Sequence, residues 1–184
     1  MTIPKTMHGV YLMGHGGPEM LEYRNDIPVP SPAPNQVLIR VGAAGINNTD
    51  INTRIGCYSK TVTGSTDTGT DTGFSDLDDD SSWNGVPFQF PRIQGADVCG
   101  HVVSIGSDVT DHTIGDRVLV RSMQSAPDTT EPYIAWTFGS ECDGGFAQYA
   151  TARASETYAV KSDWSDAELA SIPCAYSTAE GMLH

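Results

Sequence analysis

Closely spaced cysteines are missing from this 184-residue chain. Cys57, Cys99, Cys142 and Cys174 stand far apart and form no C-x-x-C pair, so neither a disulfide framework nor a zinc ribbon is written into the sequence. Reduced, mostly buried thiols are the expectation. No apolar run reaches membrane-spanning length. The start, Met1-Thr2-Ile3-Pro4-Lys5, carries no basic-then-apolar leader, so a cytoplasmic protein is expected. Positive charge is scarce: 10 Lys and Arg against 23 Asp and Glu leave a net charge of −13. Nucleic-acid binders concentrate Lys and Arg on one face, so nucleic acid is excluded as a partner, and the acidity reads as solubility. The five histidines (His8, His15, His101, His112, His184) show no H-x-x-x-H spacing, and no G-x-S-x-G elbow supports nucleophilic hydrolysis. Gly14 and Gly16 open a G-x-G, but Glu19 occupies the third glycine position of a dinucleotide fingerprint.

What is present is a succession of short strands. Val10 to Met13, Leu21 to Arg24 and Val37 to Val41 cluster or alternate apolar residues between turn formers. Pro28, Pro30, Pro32 and Pro34 impose an extended connector before the third of these. Further strands are predicted at Val98 to Ile105, Arg117 to Val120, Phe146 to Thr151 and Thr157 to Val160, punctuated by Gly95, Gly100, Gly106 and Gly115. Many short strands with tight corners predict a mainly β fold with short helices, closing as a small, partly open β-barrel. Asn48 to Arg54 is a short helix capped by Asn47 or Asn48. Ser165 and Glu168 form a capping box for a second helix bearing Leu169 and Ile172, ended by Pro173. Ala175 to His184 reads as the opening of another.

Lys60 to Val86 differs from its surroundings. It holds Asp67, Asp71, Asp76, Asp78, Asp79 and Asp80 among Thr, Ser and Gly, with little apolar surface to offset ordering entropy. A mobile insertion is expected. The Asp76 to Asp80 run is either a solvated surface or a weak hard-cation site, and it lacks the spacing of an EF-hand loop.

Six segments, in order, carry a family resemblance: G-I-N-N-T-D from Gly45, G-C-Y from Gly56, F-P-R-I-Q-G-A-D-V-C-G from Phe90, I-G-D-R-V from Ile114, G-G-F-A-Q-Y from Gly144, and I-P-C-A-Y-S-T-A from Ile172. Together the chain resembles the catalytic half of the medium-chain dehydrogenase/reductase superfamily, whose fold is a GroES-like barrel. In the zinc-dependent members, the resemblance puts a zinc-binding Cys at the position of Asn47 and a zinc-binding His at that of Ala96. An amide and a methyl group are not zinc ligands. In that resemblance Cys174 falls at a third ligand position and Asp97 at that of a Glu, while Asp50 matches a carboxylate that supports the ligands without binding the metal. A core thiol is the expected role of Cys174. Asp50 and Asp97 are expected to satisfy backbone amides or Arg54 and Arg92. The four-cysteine lobe that follows the Gly-Asp-Arg-Val motif in the family is absent. The chain therefore looks like the zinc-independent branch, similar to NADPH-dependent quinone oxidoreductases and enoyl-thioester reductases.

The resemblance implies catalytic roles for Tyr58 and Asn47, and cofactor contacts from Asn47 and Thr178. Tyr58 is either a proton donor to the reduced substrate or an aromatic at the barrel mouth. Asn47 has amide donors and an acceptor able to orient a carboxamide or carbonyl, and it is also a helix cap. Thr178 touches nicotinamide or is an ordinary helical Thr. The implied protein takes NADP(H), needs no zinc, and reduces an activated C=C or quinone as its small-molecule substrate. Residues 1–162 would be the catalytic domain and 163–184 a helical linker toward a Rossmann domain in a continuation of the chain, with a homodimer partner as the other expected contact. Alone, the chain is expected to be inactive. Two alternatives stand beside this reading: a non-catalytic GroES-like binding module, and an alcohol dehydrogenase with altered metal ligands.

Overall fold

The computed structural model describes residues 2–64, 72–74, 77–127, 129, 131 and 134–183. The architecture is mainly β, a curled half-barrel flanked by short helices. Its chain order is β1 (Thr6–Leu12), β2 (Leu21–Pro28), β3 (Gln36–Gly45), α1 (Asn48–Ile55), β4 (Arg92–Ile93), β5 (Asp97–Ile105), β6 (Arg117–Val120), β7 (Met123–Ser125), β8 (Ala135–Thr137), β9 (Tyr149–Arg153), β10 (Thr157–Ala159), α2 (Asp166–Leu169) and α3 (Pro173–Leu183). Five strands pair in the order β10-β6-β5-β3-β9, three in the order β2-β1-β4, and β7 pairs with β8. A bridge between Gly9 and Ala147 joins the smaller sheet to the chain entering β9.

β3 is the spine. It pairs antiparallel with β5 from Val37 opposite Ile105 to Gly45 opposite Asp97, and with β9 from Gln36 opposite Arg153 to Arg40 opposite Tyr149. Val37 and Ile39 enter one apolar cluster with Val98, Val102, Val118 and Phe138, while Leu38 enters another with Met7, Ile27 and Tyr149. Both faces of β3 are thus covered, which is why Val37-Leu38-Ile39 is a continuous apolar run rather than an alternating one. Register shifts at Leu38/Ile39 and Val41/Ala43 curl the sheet.

Several boundaries differ from the sequence reading. β2 runs through Pro28, because an edge strand does not need that residue's N–H. Phe146 lies before β9 rather than in it. Its carbonyl accepts from Val10 N at 2.9 Å, and its ring packs on the second cluster. The β7–β8 pair is invisible in the sequence, since its three-residue strands carry too little pattern. Pro173 begins α3 instead of ending a longer α2, and a helix's first position tolerates proline because its N–H would be unpaired anyway. The Ser165–Glu168 capping box is formed, with Ser165 N donating to Glu168 Oε2 at 2.7 Å.

Part of the Lys60 to Val86 stretch, residues 65–71 and 75–76, lies outside the described residues. Its later portion is fastened by polar contacts. Ser59 Oγ donates to Asp80 Oδ1 at 2.6 Å, His15 Nε2 meets Ser81 Oγ at 2.5 Å, and Asn84 N donates to Glu141 Oε1 at 3.0 Å. Among the described residues no helix is long and apolar enough to cross a membrane.

Candidate active site

The candidate site is built around the first turn of α1, where the chain leaves β3. Asn47 is the N-cap residue, and its backbone N–H donates to Asp50 Oδ2 at 2.8 Å. Gly56 closes the helix in the left-handed conformation at φ 77, which releases the chain toward Tyr58. Asp50 is buried and its other oxygen accepts from Gly95 N at 3.1 Å and Ala96 N at 3.2 Å. Gly95 adopts φ 105, with Gly145 N so close that a Cβ would meet it at 2.9 Å. Glycine is required there, and the turn it makes aims Ala96 and Asp97 at α1.

Asp97 is wholly buried, with 0% exposure. Its carboxylate gathers Asn47 Nδ2, the backbone N–H of Cys174 at 2.6 Å and Ser122 Oγ at 3.3 Å. One buried acid therefore ties the cap of α1 to the first turn of α3. Burial pushes the carboxyls of Asp50 and Asp97 above their ordinary value, and the donors gathered on each pull them back. The amide partners expected for both acids are present. Arg92 pairs instead with Asp143, at 3.1 Å, and Arg54 Nη1 donates to the carbonyl of Gly16. Cys174 is half-buried at the start of α3, not a core thiol, because α3 buries none of its residues. Its thiol is raised by burial and then by the charges of Asp97 and Asp50.

Asn47 and Thr178 are thus linked through this node, since Thr178 Oγ1 donates to Cys174 O at 2.8 Å from an exposed position on α3. Tyr58 packs against Thr49 of α1. Its hydroxyl lies 2.9 Å from Thr49 Oγ1, and its ring packs on Trp83 with centroids 4.6 Å apart. Burial raises the Tyr58 phenol above its ordinary value of 10.0, partly offset by hydrogen bonding from Thr49, Asn52 and Trp83, so it stays protonated at neutral pH. Ser122 and Trp83 were missed by sequence reasoning. Ser122 gave no signal. Trp83 gave one, as a tryptophan isolated in a polar stretch.

The donor set does not suit zinc. Ala96 presents a methyl group, Asn47 an amide, and the Asp97 carboxylate is committed to three protein donors. Among the described residues no three His, Cys, Asp or Glu side chains are placed to share a metal ion. The amide of Asn47 is half-buried and Thr178 is exposed, so neither side chain is sealed from solvent.

Residues 33–162 match the alcohol dehydrogenase GroES-like domain. The human quinone oxidoreductase is 29% identical over 181 residues, covering 98% of this chain and 42% of that protein. A solved structure from Sinorhizobium meliloti assigned as an alcohol dehydrogenase superposes with a TM-score of 0.80 at 39% identity, covering 98% of this chain and 47% of that one. The quinone oxidoreductase from Coxiella burnetii superposes with a TM-score of 0.66 at 26% identity, covering 97% and 44%. The chain spans less than half the length of these relatives. With that match over most of its length, the chain belongs to the alcohol dehydrogenase GroES-like domain family of the medium-chain dehydrogenase/reductase superfamily.

Proposed function

We propose that this chain is the catalytic-domain portion of an NADPH-dependent reductase that acts on an activated C=C bond or a quinone without zinc. The observation that supports the proposal is the Asn47–Asp97–Cys174 node, in which the Asn47 side-chain amide and the Cys174 backbone N–H both donate to one buried carboxylate. A conjugated carbonyl or quinone spreads developing charge over its own oxygen, so the reaction tolerates the loss of a Lewis acid. A reduced nicotinamide nucleotide, when bound, supplies the hydride. Asn47 orients the carboxamide or carbonyl at the cap of α1, and Thr178 contacts the nicotinamide end. Tyr58, kept protonated by burial, delivers a proton to the carbon or oxygen left electron-rich by reduction. Residues 1–162 form the catalytic domain, and 163–184 lead toward a nucleotide-binding domain.

The test is made on the chain joined to its natural continuation. Reduction of an enone or quinone by NADPH should persist after chelation, with far less than one zinc per chain by elemental analysis. Stoichiometric zinc with activity lost on its removal would overturn the proposal.

A further inference from the structure

Tyr58 does not stand alone. Trp83 Nε1 donates to Thr49 Oγ1 at 3.1 Å, and the same Thr49 oxygen lies 2.9 Å from Tyr58 Oη. An indole N–H can only donate, so Thr49 accepts from Trp83. Thr49 has one proton of its own, and the Tyr58 oxygen is its one remaining hydrogen-bond neighbour among the described residues. Two arrangements follow. If Tyr58 donates to Thr49, the phenol proton is locked inside the protein. If Thr49 donates to Tyr58, the phenol proton is not consumed by Thr49 and can be offered to a bound molecule. A hydroxyl that accepts one hydrogen bond becomes a better donor in the next, so the Trp83 bond favours the second arrangement.

Trp83 is fixed well enough to do this. Its neighbours are fastened on both sides, Ser82 Oγ to Val86 O at 2.7 Å and Asn84 N to Glu141 Oε1 at 3.0 Å. Its ring packs on Tyr58 at an interplanar angle of 37°. Although 40% exposed, the indole is held by a hydrogen bond, a ring contact and two anchored flanks.

We infer that Trp83 and Thr49 form a one-way donor relay, Trp83 to Thr49 to Tyr58, that leaves the Tyr58 proton available to the reduced substrate and stabilises the phenolate left behind. They are positioning residues, and the inference rests on Tyr58 as the proton donor. In the step itself the Tyr58 Oη–H bond breaks and a C–H or O–H bond forms on the reduced substrate. The electron pair stays on Tyr58 Oη, which keeps its hydrogen bond from Thr49, and a solvent proton later restores the phenol.

The relay is tested on the 184-residue chain itself by titrating ring-carbon-labelled tyrosine by NMR, with the Tyr58 signal assigned by its loss in Tyr58→Phe. Thr49→Val and Trp83→Phe each remove one donor in the relay while preserving shape. Both should move the Tyr58 titration to higher pH by about half to one unit, and Thr49→Ser should leave it in place. Dispersion among the other six tyrosines reports folding in the same spectra. Should Thr49→Val fail to fold, Trp83→Phe alone decides. An unchanged or lowered Tyr58 titration in a folded variant overturns the relay. In the full enzyme, Trp83→Phe should lower kcat with the KM for NADPH unchanged. A relay confirmed by NMR beside a Tyr58→Phe enzyme of normal turnover would instead overturn the donor role.

Discussion

The β3–β5 wall and the rim formed by residues 77–90 are held together by opposite means. The wall buries Val37, Ile39, Val98 and Val102 in one apolar cluster, Leu38 in another, and Cys99 in a third. The rim is held by side-chain hydrogen bonds: Asp80 to Ser59, Ser81 to His15, Ser82 to Val86 and Asn84 to Glu141. Its apolar contribution is modest, with Phe88 packed 4.8 Å from Phe90 and both rings around His15. The apolar wall sets where Asp97 sits, and the hydrogen-bonded rim sets where Trp83 sits. On the proposed mechanism, proton donation would depend on contacts of the polar rim rather than on the apolar wall.

Mutations on the two sides should separate cleanly. The largest effect belongs to the wall. Ile39→Ala, at a fully buried position, should cost about 2–5 kcal/mol in urea unfolding, because the curled sheet cannot collapse into the void. A loss below 1 kcal/mol would mean that the wall is far softer than its packing indicates.

Next comes the junction. Asp50→Asn puts an amide donor against one of the backbone donors of Asn47, Gly95 and Ala96 that the carboxylate now accepts. The expected cost is about 1–3 kcal/mol. Asp50→Glu would not rescue it, since the buried space is fixed. Equal stability of Asp50→Asn and wild type in denaturant titration would refute this assignment.

The smallest effect is in the rim and depends on pH. Thr53 O can only accept, so His15 Nδ1 carries a proton and the neutral ring accepts from Ser81 through Nε2. Burial lowers the His15 pKa below its ordinary 6.5. The folded ring resists a proton that the unfolded one accepts, so its contribution is complete above 6.5 and is lost as pH falls below that value. Limited proteolysis within the rim should speed up between pH 7 and 5. Ser81→Ala should remove about 1 kcal/mol of local protection at pH 7 with little change in global unfolding. Cleavage rates that ignore pH would sever His15 from the rim.

The same division decided what could be read from the sequence. The wall was legible because burial on two faces forces apolar residues into runs such as Val37-Leu38-Ile39. The cap of α2 was legible because Ser165 with Glu168 repeats a spacing that helix geometry imposes, while that of α1 was narrowed only to Asn47 or Asn48, of which the fold uses Asn47. The junction was half legible: Asp50 and Asp97 stood out, but Ser122 lies 25 residues from Asp97 and no spacing rule links them. The rim was not legible. Asp80, Ser81 and Trp83 sit in a polar stretch whose composition says nothing about which side chains find partners, and only the fold brings Trp83 to a residue 34 positions away.

The central claim is that Tyr58, poised between Thr49 and Trp83, is the proton donor of a zinc-independent reductase. It is tested most directly by steady-state turnover of Tyr58→Phe in the full enzyme, with NADPH and several enones. General acid catalysis is typically worth about 10²–10⁴-fold, so turnover should fall by that order while the KM for NADPH stays within about twofold. Unchanged turnover across the enones would contradict the account and move the proton source to water.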